Sequence, residues 1–184
     1  MTSDNTSIDN IMHLTVRKSF THRLPWLLIG LFGGIFAAKI VSSFEEVLSR
    51  NIVLAAFIPL IVYMSDAVGT QMESFIIRDS AMHPRLNLIK YFLKHLFITF
   101  LISAILSGAL YFYSFFSYSD PILSFVLSFS MFVSILSSVF TGLLLPMVFK
   151  KEHFDPANAS GPIATIIQDI LSVLVYFLIA SALL

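Results

Sequence analysis

From Leu24 to Leu184 the chain consists of long apolar runs joined by short polar links, and this pattern constrains its fold more than any other feature. A helix needs about 20 mainly apolar residues to cross the hydrocarbon of a bilayer, and the length allows roughly five such runs. In lipid each segment must satisfy its own backbone polar groups, which for runs of this kind means helices. The expected fold is an all-α integral membrane protein, five transmembrane helices preceded by a short amphipathic interfacial helix. The mean hydropathy of +0.88 agrees, and 184 residues leave no room for a separate soluble domain beside five spans. A net charge of +0 implies no polyelectrolyte partner, nucleic acid included. With no cysteine there are neither thiolate metal sites nor disulfides.

The polar, acid-bearing start (Thr2, Ser3, Asp4, Asn5) is unlike a cleaved signal peptide. Ile8, Ile11, Met12, Val16 and Phe20 recur on one helix face, which predicts an amphipathic helix from Ile8 to Phe20 at the cytoplasmic interface. Residues 1–23 are therefore expected as a cytoplasmic tail, and 24–184 as the five-helix domain. The first span runs from about Leu24 to Phe44. Pro25 stands in its first turn, Trp26 at the interface, and Gly30, Gly34 and Ala38 give a small-residue face for close helix contact. Lys39 is placed to snorkel. After a link at Glu45–Arg50, a second span from Asn51 to about Arg78 is expected to be interrupted at Pro59. The third (about Leu88 to Ser117) carries Thr99, Ser103 and Ser107 at intervals of four. The fourth follows a tight turn at Ser117–Pro121 and reaches about Phe149, with Ser130, Ser134, Ser137 or Ser138, and Thr141 on one face. The first hydroxyl row is read as helix packing, and for the second, packing is favoured over pore lining.

The last span follows Asp155-Pro156-Ala157-Asn158-Ala159-Ser160-Gly161-Pro162 and carries a single acid, Asp169. Pro162 has no N–H for the carbonyl of Asn158, so a helix break with free carbonyls is expected there. Irregular backbone at membrane depth is tolerated where it is buried in protein or lines a watery cavity, and an oxygen-rich cavity suits a hard divalent cation.

Only Asp66, Glu73 and Asp169 are acids inside spans, and Asp66, Thr70 and Glu73 share one helix face. No lysine or arginine falls at their depth, so protonation or a bound cation is expected in place of buried ion pairs. Intramembrane carboxylates mark pathways by default. At about 1.5 Å per residue, Asp169 lies roughly 15 Å into its helix, with Asp66 and Glu73 nearer the cytoplasmic ends of theirs. Five spans put nine of the 11 Lys and Arg on the side of the N-terminus, so the N-terminus is expected to be cytoplasmic and the C-terminus outside. His13, His22, His83, His95 and His153 show no metal-ligand spacing, and no enzyme signature is present.

Two blocks carry a resemblance: Pro59-Leu60-Ile61-Val62-Tyr63-Met64-Ser65-Asp66-Ala67-Val68-Gly69-Thr70-Gln71 followed by Arg78, and Asp155-Pro156-Ala157 with Ser160-Gly161-Pro162 and Asp169. From about Arg23 to Leu184 the chain resembles the transmembrane domain of the MgtE family of magnesium transporters and channels. The resemblance implies a five-helix domain in the inner plasma membrane that dimerises around a central pore and passes Mg²⁺ down its gradient. It gives Asp169 as the pore carboxylate, Thr165, one turn earlier, as the residue presenting a backbone carbonyl, and Gly161 at a position where some members have Asn. Where the family has Gly-Gly-Asn after the methionine, this chain has Ser65-Asp66-Ala67, which adds a charge. The family's cytoplasmic regulatory domain and paired CBS modules do not occur in these residues, so sensing by those parts is not expected to operate.

The functional expectation is divalent cation transport, Mg²⁺ first, through a pore at a homodimer interface. A half-pore per chain is completed most simply by a two-fold partner, and Mg²⁺ would pass largely hydrated. The alternatives are an exchanger coupled to H⁺ or Na⁺ through Asp66 and Glu73, and a membrane scaffold that does not transport.

Overall fold

The computed structural model describes residues 15–83, 86–151 and 156–184. Among them are six helices: α1 (Val16–Ser43), α2 (Glu45–Arg50), α3 (Val53–Met82), α4 (Leu88–Tyr118), α5 (Pro121–Lys151) and α6 (Pro156–Leu183). All but α2 are long and apolar enough to cross a membrane, so the five expected spans are present.

Short polar side chains set the helix starts. Thr15 Oγ1 accepts from Lys18 N, and Asn87 Oδ1 from Lys90 N at 3.1 Å. Asp120 Oδ1 accepts from Ile122 N and Leu123 N at 2.9 and 3.0 Å, occupying donors that the first turn of a helix leaves without partners. The tight turn expected between the third and fourth spans is there: Ser119 ends α4 in the left-handed region, with φ 53°.

The structure differs from the sequence reading at three places, and a fourth expectation lies mostly beyond what it describes. The interfacial helix expected from Ile8 to Phe20 falls largely outside the described residues, and its described part, Val16–Phe20, is the first stretch of α1 itself. The link Glu45–Arg50 forms α2, which has Glu45 and Glu46 in its first turn and Arg50 in its last, the arrangement that the helix dipole favours. Pro59 does not interrupt α3, which is continuous across it. Pro162 likewise lies inside a continuous α6, so the expected helix break is absent. The common reason is solvent. A proline removes one hydrogen bond, whereas an open stretch of backbone in lipid would leave several groups unsatisfied.

In α3 a neighbour supports the weakened turn. Tyr176, 1% exposed on α6, donates from its hydroxyl to the carbonyl of Leu54 at 2.8 Å, one residue before the carbonyl that Pro59 leaves without its helical donor. Tyr176→Phe should therefore lower stability by about 1 kcal/mol, since interhelical hydrogen bonds in membranes are worth about 0.6 to 2. Thermal unfolding in detergent checks this, and an unchanged midpoint would mean the hydroxyl contributes nothing.

Helix α5 is central and packs on α3, α4 and α6, while the main neighbour of α1 is α6. The larger core cluster joins Leu54, Ile61, Leu127, Ile135 and Phe177, among others, with Phe44 stacked on Phe177 at 4.8 Å between ring centres. The hydroxyl rows are buried as packing residues: Thr99, Ser103 and Ser107 on α4, and Ser130, Ser134, Ser138 and Thr141 on α5. Helices α3 and α5 approach most closely at Gly142. A Cβ there would lie 2.5 Å from the carbonyl oxygen of Gly69 and 2.8 Å from Cβ of Met72. Outward faces are apolar, with Phe97, Ile105 and Phe116 exposed, as lipid contact requires.

Candidate functional site

The site forms where α6 faces α1. Thr165 and Asp169 are four residues apart, so both side chains leave the same face of α6. Together with Pro162 and Ile166 they form one wall of a groove of about 460 Å³, open on one side, whose other wall is Leu27, Gly30, Gly33 and Gly34 of α1. The glycines make room. Nothing lies within 4 Å of a Cβ built on Gly30 or Gly34, whereas one on Gly33 would run into the side chain of Ile166. Within the chain, then, the expected close-packing role of Gly30 and Gly34 belongs to Gly33, and Gly30 and Gly34 border open space. The spacing of four was legible in the sequence, but which glycine of the run touches a neighbour depends on how α1 is rotated on α6.

The other sequence-nominated residues separate into two groups. Asp66, half-buried on α3, has its carboxylate beside the side chain of Thr165 and lies close enough to Asp169 for the two carboxylates to interact electrostatically. Asp66, Thr165 and Asp169 therefore form one polar constellation shared by α3 and α6. Glu73 lies seven residues further along α3, about 10 Å by helical rise, and does not border the groove. It makes an interaction of its own within the chain. Gly161, half-buried, precedes Pro162 in α6 and also lies off the groove wall. Asp155, His13 and His153 lie outside the described residues. Among the described residues no three of His, Asp and Glu come together as a metal-binding group.

Sequence reasoning missed Gln168. Its side chain, 1% exposed, leaves the face of α6 that adjoins the groove face and ties three helices together. Nε2, with two N–H to share, lies within hydrogen-bonding distance of the hydroxyl of Ser65 on α3, the carbonyl of Ser134 and the hydroxyl of Ser137 on α5 (both 3.2 Å), and Ser172 Oγ at 3.1 Å. Oε1 accepts from Thr141 Oγ1 at 2.6 Å. Ser65 and Ser172 close the network at 2.8 Å, and Ser65 also donates to the carbonyl of Ser134 at 3.1 Å. The available signal was a buried amide with a serine four residues on, set in an otherwise apolar run; attention to acids alone passed over it.

Five apolar helices, two of which form a groove bearing a carboxylate, define an integral membrane protein with a polar site on its helical bundle. Its family follows from residues 58–179, which match the MgtE family, described as divalent cation transporter, and the chain belongs to that family. It is 33% identical over 162 residues to the magnesium transporter MgtE of Bacillus subtilis, a match covering 87% of this chain and 36% of that protein. The magnesium transporter MgtE of Enterococcus faecalis is 35% identical over 168 residues (89% and 37%), and that of Thermus thermophilus 28% over 169 (88% and 36%). The chain thus spans a little over a third of the length of these relatives.

Proposed function

We propose that this chain is a divalent cation transporter, with Mg²⁺ as its foremost substrate, that works as a homodimer and is not an enzyme. The observation that carries the reading is the groove between α1 and α6, with Asp169 on its wall and Asp66 within electrostatic reach through the Thr165 turn. Asp169 would attract the cation, and the backbone and hydroxyl oxygens of Thr165 would hydrogen-bond its water shell. Mg²⁺ dehydrates reluctantly, so a sparse set of oxygen ligands suits it better than a closed cage. The groove is open on one side, and two copies related by a two-fold axis would complete a path that one chain only half encloses. Gly161 and Glu73 would lie along the approach to that path on the cytoplasmic side. Residues 1–23 then form the cytoplasmic segment, 24–184 the pore domain in the plasma (inner) membrane, and the C-terminus lies outside, as the distribution of Lys and Arg favours.

Purified protein in liposomes should conduct Mg²⁺, and a panel of Mg²⁺, Mn²⁺, Co²⁺, Zn²⁺ and Ca²⁺ ranks the substrates. Absence of flux for every ion would overturn the proposal. Asp66→Asn removes one of the two coupled charges and should raise the half-saturating Mg²⁺ concentration on the order of tenfold, about 1.4 kcal/mol. An unchanged half-saturation would take Asp66 out of the site.

The contact of Asp66 with Thr165 also favours a second reading, an exchanger in which Asp66, with Glu73 further along α3, carries H⁺ or Na⁺ against the divalent ion. Divalent flux that follows imposed pH or Na⁺ gradients supports it, and flux indifferent to both removes it.

A further inference from the structure

We propose that Gln168 is the positioning residue of the cation site: its buried carboxamide sets the rotation of α6 about its own axis, and so decides that Asp169 and Thr165 face the groove. The role of the groove rests on the transport reading; the positioning itself does not.

The argument begins with the helix. Neighbouring residues are about 100° apart around an α-helix, so Gln168 and Asp169 project from adjoining faces. Ala164, Gln168 and Ser172, spaced by four, form the buried face of α6, at 7%, 1% and 0% exposure, while Thr165 and Asp169 form the half-buried groove face. Apolar packing alone holds a helix weakly against rotation in lipid, because lipid is as apolar as the core and nothing distinguishes one oily face from another. A carboxamide in hydrocarbon does distinguish them. Turning α6 by one residue would pull both ends of the Gln168 amide from their partners and leave a donor and an acceptor unsatisfied.

The partners are arranged for that task. The amide nitrogen reaches both neighbouring helices, through Ser65 on α3 and through the Ser134 carbonyl and Ser137 on α5, and its oxygen is held by Thr141 on α5. Ser65 directly precedes Asp66, so the same node also places the second carboxylate. One buried amide therefore registers both acid-bearing helices against α5, the helix at the centre of the bundle.

The test exploits the absence of native cysteine. Thr165→Cys and Ala164→Cys, made singly, are treated in proteoliposomes with a water-soluble thiosulfonate, whose reaction rate follows thiol exposure. Position 165 should react and position 164 should be protected. Adding Gln168→Leu, which keeps the bulk and removes the polar ends, should lower the rate at 165 and raise that at 164, each by about tenfold. Deleting partners while keeping the glutamine, with Ser65→Ala and Thr141→Val together, should shift both rates the same way by a smaller factor. This second variant carries the test if Gln168→Leu does not fold. In flux assays Gln168→Leu should raise the half-saturating Mg²⁺ concentration, because a positioning residue acts through what it positions. An unchanged 165-to-164 pattern in a well-folded variant overturns the proposal. A shifted pattern in a protein that conducts no divalent ion supports the positioning role and overturns the transport reading, so the two failures are distinct.

Discussion

Asp169→Asn is expected to reduce divalent flux in proteoliposomes to the background of empty vesicles, while the purified protein keeps its elution volume and thermal midpoint. The expectation follows from the surroundings of the carboxylate. Asp169 borders an open groove whose other walls are glycine, isoleucine, leucine, proline and threonine, so no other acid on that surface can replace its charge. Asp66 interacts with it electrostatically from the neighbouring helix but lies off the groove wall. Asparagine keeps the size and one acceptor oxygen and removes the charge. The attraction of a divalent ion into a low-dielectric wall therefore disappears without opening a cavity. Full flux from the asparagine variant would show that the pathway lies elsewhere. A loss of both flux and folded protein would give Asp169 a structural role in place of the functional one.

The largest effect on stability is expected at Gly142, where alanine should cost about 2 to 3 kcal/mol, within the range found for overpacked cores. The added Cβ would stand 2.5 Å from a backbone carbonyl oxygen and 2.8 Å from the Cβ of Met72. Neither obstacle can be relieved by a rotamer change, so α3 and α5 would have to separate. Because α5 packs on three other helices, that separation would spread through the bundle. Two controls make the result specific. A Cβ at Gly69, across the same crossing, would meet its nearest atom at an ordinary 3.4 Å, and Gly108 on α4 has nothing within 4 Å. Gly108→Ala should be neutral or stabilising by up to about 1 kcal/mol through helix propensity alone. Unfolding midpoints in one detergent compare the three, and equal midpoints would mean that the crossing is looser than its geometry indicates.

Most of the fold was legible in the chain, because hydrocarbon imposes a strict rule. An apolar run of about 20 residues must hydrogen-bond to itself and therefore becomes a helix. The same rule explains where the sequence reading erred. Pro59 and Pro162 look like breaks by the standard of water, where an opened turn is resolvated, and in lipid both are absorbed into continuous helices. The link at Glu45–Arg50 was too short to show a period, and its helix emerges only in contact with α1, α3 and α6.

Asp169 stood out by itself, since an acid in an apolar run has no bland explanation in composition. Its pairing with Thr165 could be reached from a spacing of four. The nearness of Asp66, more than a hundred positions earlier, could not, because it depends on how α3 and α6 are rotated against α5. Nor could the sequence say which of Gly30, Gly33 and Gly34 touches α6, or that Gln168 lies at the junction of three helices. One-dimensional pattern specified which segments enter the membrane and which of them carry charge, since both are properties of a segment alone. Tertiary packing decided which faces meet, because that is settled by side-chain shape at the Gly142 crossing and by the hydrogen bonds of a single buried amide.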